Sequence, residues 1–254
     1  MTESNAEKSV SVVARTPSLA AQAIACVVTV PTFKRPEQLL NTLHSLASQA
    51  TERPFAVIVM ENEAGERAGA NAAAPLFADG TLNGLVIIAH KRGNCCAYNA
   101  GWETALTEFP NFRHLAVIDD DELASPHWLE NLCATAERFE ADIVGGPQVP
   151  VFAKPAHERW ASHPVFAPPY DETGPVSALY SSGNLLVSRR VLEAMPRPFL
   201  DLRFNFMGGG DSDFLSRASE KGFRLAWSAE AETQEIVPAR RVERDWIRAR
   251  ALRN

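Results

Sequence analysis

Ala23–Pro31, AIACVVTVP, is a continuous apolar run rich in β-branched residues and closed by a proline. Without polar alternation, such a run reads as a strand buried on both faces, as in the interior of a parallel sheet. Pro36 then opens a segment in which Leu39, Leu40, Leu43 and Leu46 recur at helical spacing. A proline suits the first turn of a helix, where its missing N–H would have no partner. Together these segments predict a βα unit.

Working outward, Phe55–Met60 (FAVIVM), Leu85–Ala89 (LVIIA) and Leu115–Ile118 (LAVI) predict further buried strands, with a helix over Ala97–Phe109. Pro126–Glu140 predicts another helix and Asp142–Val144 a short strand, before Gly145-Gly146-Pro147 breaks the rhythm. The stretch 151–175, rich in Pro, His and aromatics without a period, predicts long loops over the active face, and regularity returns over Leu179–Val187. Short apolar strands alternating with helices predict an α/β fold with a Rossmann-like, doubly wound, mostly parallel central sheet flanked by helices. Ligands of such sheets gather beyond the carboxyl ends of the strands.

The 254 residues suit one domain, over 23–254, made of a first half (about 23–122), a second half (about 123–238) and a basic terminal helix (about 239–254). Residues 1–22, rich in Ser, Thr, Ala and charge, lack the layout of a secretory signal and predict a flexible lead-in. A net charge of -6 argues against nucleic acid as a partner. Cys26, Cys95, Cys96 and Cys133 show no metal or disulfide spacing and predict reduced thiols in a reducing, cytoplasmic setting. No apolar run is long enough to span a bilayer.

The sharpest chemical signal is Asp119-Asp120-Asp121-Glu122, directly after the LAVI strand. Four consecutive carboxylates repel one another unless a cation neutralises them, and hard oxygen ligands select Mg²⁺ or Mn²⁺. A diphosphate-binding metal site is the functional reading; an acidic cap for the helix after Ser125 is the structural one. A second signal is Met207-Gly208-Gly209-Gly210-Asp211-Ser212-Asp213, ahead of a helix predicted from Phe214. There, too, an aspartate acting only as a helix cap is the structural alternative. Arg92 and the helix start beyond it are candidates for the donor phosphates, because a helix N-terminus holds anions.

These motifs resemble those of glycosyltransferase family 2, whose GT-A fold carries a D-x-D motif after a buried strand. The resemblance covers roughly Ala25 to Arg250, and it implies that the first half, about 23–122, binds the nucleotide and the second, about 123–238, the acceptor. It implies an inverting, metal-dependent transfer from a nucleotide-diphosphate sugar, a UDP-sugar foremost, to an acceptor hydroxyl. By the resemblance, Asp121 touches the metal, Asp119 faces the donor and Asp211 is the general base. Asp120, within the same quartet, is placed with the donor. Val30-Pro31-Thr32-Phe33-Lys34-Arg35 matches the family's opening motif, which implies that Pro31, Thr32 and Arg35 line the nucleotide pocket. Glu61 stands where the family's base-binding Asp is usual, and Ser182-Gly183-Asn184 resembles the element near the donor sugar, which places Gly183 and Asn184 there. Glu235 falls where relatives carry a metal-binding His, with Glu230 and Glu232 as alternatives.

Two departures stand out: Gly210 replaces the family's usual Glu, and Tyr98 replaces an Arg. The first keeps a non-catalytic scaffold in a polysaccharide-assembly complex as the alternative reading. The succinoglycan-type exopolysaccharide branch is the nearest resemblance, implying a glycan or lipid-linked acceptor. In the terminal helix Val242, Trp246 and Ala249 share one face and Arg240, Arg244 and Arg248 another. This pattern fits either peripheral contact with the inner face of the cytoplasmic membrane or packing on the domain itself. The helix stops mid-pattern, an expectation that the natural chain continues beyond Asn254.

Overall fold

The computed structural model of the chain describes residues 9–251. With strands numbered in chain order, a nine-stranded sheet runs β1 (Val10–Arg15), β4 (Gly84–Ala89), β3 (Phe55–Glu61), β2 (Cys26–Thr32), β5 (His114–Ile118), β10 (Asn184–Ser188), β7 (Ile143–Gly145), β11 (Leu225–Trp227), β9 (Gly174–Val176). A small second sheet has the order β6 (Glu122–Ala124), β12 (Thr233–Val237), β8 (Gln148–Phe152). The helices are α1 (Pro36–Ala47), α2 (Ala68–Ala78), α3 (Asn94–Glu108), α4 (Trp128–Phe139), α5 (Arg189–Ala194), α6 (Gly210–Glu220) and α7 (Arg244–Ala251).

All seven residues of β2 are buried, because helices cover both faces of the sheet. Alternate residues serve different layers: Val27 packs with Trp102 of α3 and Phe214 of α6, whereas Val28 and Val30 pack with Leu39 and Leu43 of α1 and Leu132 of α4. β4, β3, β2 and β5 are parallel. Because β2 has β3 on one side and β5 on the other, the winding reverses there, and the crevice of the switch point opens beyond Thr32 and Ile118. β10 then inserts antiparallel between β5 and β7, which carries Ser182 and Gly183, just ahead of it, back to the same end.

An aromatic cluster holds the two halves of the crevice together. Trp102 of α3 meets Phe214 of α6 edge-on at 5.0 Å and Tyr98 at 5.9 Å. Each such pair contributes about 0.5–1.5 kcal/mol beyond its buried area.

Several elements differ from expectation. Val10–Arg15, assigned to a flexible lead-in, is an edge strand antiparallel to β4; residues 1–8 of that lead-in lie outside the described residues. α3 begins at Asn94 rather than Ala97, and α6 at Gly210 rather than Phe214, because Gly93 and Gly209 supply the positive-φ turns that start them. The 151–175 stretch is bounded by β8 and β9 and carries a 3₁₀ turn over Pro155–Trp160. No helix among the described residues is long and apolar enough to cross a membrane.

Candidate active site

The acid quartet is spread by a tight turn in which Glu122 N–H donates to the Asp119 carbonyl at 3.3 Å, so successive carboxylates aim apart. Asp120 turns towards β2, accepting from Thr32 Oγ1 at 2.8 Å and from Arg35 Nη1 at 3.0 Å. Asp121 accepts from the same Arg35 nitrogen at 2.8 Å and lies 3.5 Å from Arg241 Nη2. Asp119 accepts from the Tyr98 hydroxyl at 3.1 Å. Glu122 opens β6 and is bonded to the Gln148 amide.

This packing leaves more negative charge than the guanidinium groups of Arg35 and Arg241 disperse. Burial, then repulsion from Asp121 and Asp120, raises the Asp119 carboxyl to about 7. Burial, with Asp119 adding to it, also pushes Glu122 well above the usual carboxylate range, and its Oε2 is buried without a hydrogen-bond partner. Glu235 is raised by burial too, with Arg241 opposing and Asp121 adding to the shift. Hard carboxylate oxygens, one unpartnered, in a region of excess negative charge, are chemically suited to a small divalent cation. Among the described residues, however, no three His, Cys, Asp or Glu side chains are already gathered in ligating positions. Arg241 bridges Glu235 and Asp121 instead.

Asp211 sits in the first turn of α6, after the left-handed Gly208 and Gly209. Its Oδ1 accepts from Ser212 N at 2.9 Å, and its Oδ2 lies 3.3 Å from Ser182 N and 3.5 Å from Ser182 Oγ. Ser182 Oγ donates to the Tyr98 hydroxyl oxygen at 3.1 Å. A continuous polar path thus runs from Asp211 through Ser182 and Tyr98 to Asp119, joining the two acidic motifs across the crevice. Gly210, where the family's usual Glu is missing, has a packing cause: a Cβ there would stand 2.8 Å from Cys95 Sγ and 3.4 Å from Phe204 Cβ.

The remaining predicted site residues divide. Gly183 belongs to the site: a Cβ would collide with Gln148 Nε2 and lie 2.8 Å from Glu122 Oε1 and 3.0 Å from Asp119 Oδ2. Pro31 and Thr32 end β2 in the crevice, but the Thr32 hydroxyl is engaged with Asp120. Arg92 is exposed before α3 and stacks on Phe33 at 5.0 Å. Glu61 is 0% exposed, and its carboxylate accepts from Glu63 N at 2.9 Å and Ala70 N at 3.1 Å, so it anchors the first turn of α2 and presents no free oxygen to a base. Asn184 is likewise spent on the framework, accepting from Trp128 Nε1 at 2.8 Å and donating to Pro147 O at 3.0 Å and Ala231 O at 2.7 Å. Tyr98, Ser182, Gln148 and Arg241 joined the site without being assigned to it from the sequence.

Residues 27–195 match the family described as Glycosyl transferase family 2, more than half of the chain. The chain belongs to glycosyl transferase family 2. A relative, "Succinoglycan biosynthesis protein ExoM" of Rhizobium meliloti (strain 1021), is 32% identical over 239 residues, covering 88% of this chain and 70% of its own. Among solved structures, S. aureus TarS matches with a TM-score of 0.67 at 15% identity, over 84% of this chain and 37% of that one. TarS 1-349 in complex with UDP matches at TM-score 0.64 and 16% identity, over 84% and 61%. The chain therefore spans less than two thirds of either TarS chain. These structural likenesses support the family's α/β GT-A fold here, including the sheet that sets the DDDE turn at the switch point.

The basic terminal stretch folds as a 3₁₀ turn over Ala239–Val242 followed by α7, and part of its apolar face packs on the domain itself. Trp246 stacks on Phe166 at 6.1 Å, Val242 and Ile247 join the same cluster, and Arg241 lies 5.8 Å over the Trp246 ring. Arg240, Arg244 and Arg248 are exposed; residues 252–254 of the basic stretch lie outside the described residues.

Proposed function

We propose that this glycosyltransferase inverts an anomeric centre, moving a sugar from a nucleoside diphosphate sugar, a UDP-sugar, to a hydroxyl of a glycan or lipid-linked acceptor in exopolysaccharide assembly. The observation that carries the reading is the path Asp211–Ser182–Tyr98–Asp119, which sets two acidic groups across one crevice with a fixed polar spacer. The family relative named for succinoglycan biosynthesis supports the exopolysaccharide setting, and the UDP and UDP-GlcNAc complexes of TarS support the donor class.

In this reading Asp211 accepts the proton of the acceptor hydroxyl as its oxygen attacks the anomeric carbon, while the carbon–oxygen bond to the diphosphate breaks on the opposite face. Ser182 keeps Asp211 aimed by its main-chain N–H, and Gly183 leaves the space in which donor and carboxylates approach. Arg35 and Arg92 supply positive charge near the diphosphate. A bound Mn²⁺ or Mg²⁺, held by Asp121 and Asp119 with Glu235 released from Arg241, would neutralise the departing diphosphate. Exposed Arg244 and Arg248 would meet an anionic lipid carrier or the membrane's inner face.

A thermal-shift series with nucleoside diphosphates, with and without Mn²⁺, tests this reading, because a ligand bound by the native state raises its stability. UDP is expected to raise the melting temperature most, and more with Mn²⁺ present. Equal, small shifts for all nucleotides would remove the donor assignment.

A further inference from the structure

At the opposite end of the sheet from the acid quartet, the protein assembles two thiols that transfer does not use. Cys26 opens β2 and His114 opens β5, and the parallel register sets these two residues directly side by side. Cys26 packs in the layer under α4, the helix that lowers Cys133 onto it. Cys26 and Cys133 belong to the same buried cluster, and both line one cavity together with His114. Above them Arg53 spans α4, binding Glu130 at 3.0 and 3.1 Å and Glu137 at 2.6 and 3.0 Å, so its guanidinium straddles the turn that carries Cys133. A cavity of about 260 Å³ is lined by Cys26, Cys133, His114, Arg53 and Arg113, with each of the two thiol residues 1% exposed.

We propose that Cys26 and Cys133 form a peroxide-oxidisable dithiol. A thiol beside a guanidinium and an imidazole is the electropositive setting in which thiolates persist. The neighbouring Cys26 thiol is the largest influence drawing Cys133 down to about 6; His114 and Arg53 act in the same direction and burial opposes them. The Cys133 thiol and burial hold Cys26 well above the ordinary thiol value. Position assigns the roles: Cys133 lies on α4 between the two glutamates that Arg53 binds, and Cys26 stands in β2 beneath that helix. The Cys133 thiolate attacks one oxygen of a hydroperoxide; the O–O bond breaks, the peroxide is reduced to an alcohol or, for hydrogen peroxide, water, and Cys133 becomes a sulfenic acid. The Cys26 sulfur then attacks the Cys133 sulfur, the S–O bond breaks, and hydroxide leaves with the Cys26 proton as water. Two thiols and one peroxide give one disulfide, with two electrons passed to the peroxide.

The competing thiols differ in setting: burial pushes Cys95 up to about 11, and Cys96 is half-exposed, with its sulfur 3.2 Å from Asn205 Nδ2.

The test is to treat the reduced full chain with hydrogen peroxide at pH 7 with and without dimedone, a sulfenic-acid trap, then alkylate under denaturing conditions and map the peptides by mass spectrometry. The expected result is loss of two of the four alkylatable thiols and a linked Cys26–Cys133 peptide pair. In Cys26→Ser, dimedone should mark Cys133 instead. A dimedone adduct at Cys133 of the wild-type chain with no linked pair, or first reaction at Cys96 with Cys26 and Cys133 still alkylatable, overturns the proposal. Because the wild-type chain alone decides between these outcomes, a variant that fails to fold does not blunt the test.

Discussion

The Tyr98 hydroxyl donates to Asp119 Oδ1 at 3.1 Å from a side chain that is 1% exposed. The contact joins α3 to the strand-end carboxylate of the acidic motif, and its far side is held by Ser182, the neighbour of Asp211.

Removing that donor should shift the site's proton balance. The Tyr98 bond lowers the Asp119 carboxyl against burial and like charge, which together raise it to about 7. Tyr98→Phe should therefore raise Asp119 further and move the acid limb of the kcat/KM profile to higher pH. An unchanged limb would show that Asp119 ionisation does not govern activity.

Cation stabilisation should depend on pH. With Asp119 near 7, against about 4 for a free Asp side chain, the folded state holds a proton that the unfolded chain has released. Between roughly pH 4 and 7 the stability this group contributes therefore falls as pH rises. A cation must displace that proton, so the Mn²⁺-induced rise in melting temperature should be small at pH 5.5 and grow towards pH 8. A shift independent of pH would separate Asp119 from the cation.

Gly183→Ala drives a methyl into Gln148 Nε2 and to 2.8 Å from Glu122 Oε1. Overpacking of this kind costs about 1–3 kcal/mol, and the displaced carboxylates should lower kcat more than the stability loss alone would. Chemical denaturation beside steady-state kinetics separates the two effects.

Glu122→Gln should leave the melting temperature nearly unchanged, because burial and the neighbouring Asp119 disfavour the charged carboxylate and the amide has its shape. Glu122→Ala, which strips Gln148 of its acceptor, should cost about 1–3 kcal/mol. A large loss in the Gln variant would mean that the site needs a charged Glu122.

What was legible in the sequence was what is local. β2, α1, β3 and β5 carry their burial pattern within a few residues, and the acids after Ile118 mark a strand end without help from the rest of the chain. Val10–Arg15 escaped because its short apolar run is embedded in Ser and Thr and becomes a strand only by pairing with β4. Ala68–Ala78 escaped because an alanine-rich helix presents no polar face to contrast with its buried one. Tyr98 and Ser182 are 84 residues apart and meet only when α3 and β10 are packed. Glu61 and Asn184 fit the family motifs by position, yet main-chain groups and, for Asn184, the Trp128 indole engage their polar atoms, a fact no linear pattern carries.

The most direct test is transfer from UDP-sugar donors by Asp211→Asn beside the wild-type chain, with nucleotide binding followed by thermal shift in both. The account predicts a fall in kcat of about 10²–10⁴, the usual worth of a general base, with the UDP-induced shift unchanged. An Asp211→Asn variant that turns over at the wild-type rate while binding UDP equally well would contradict it.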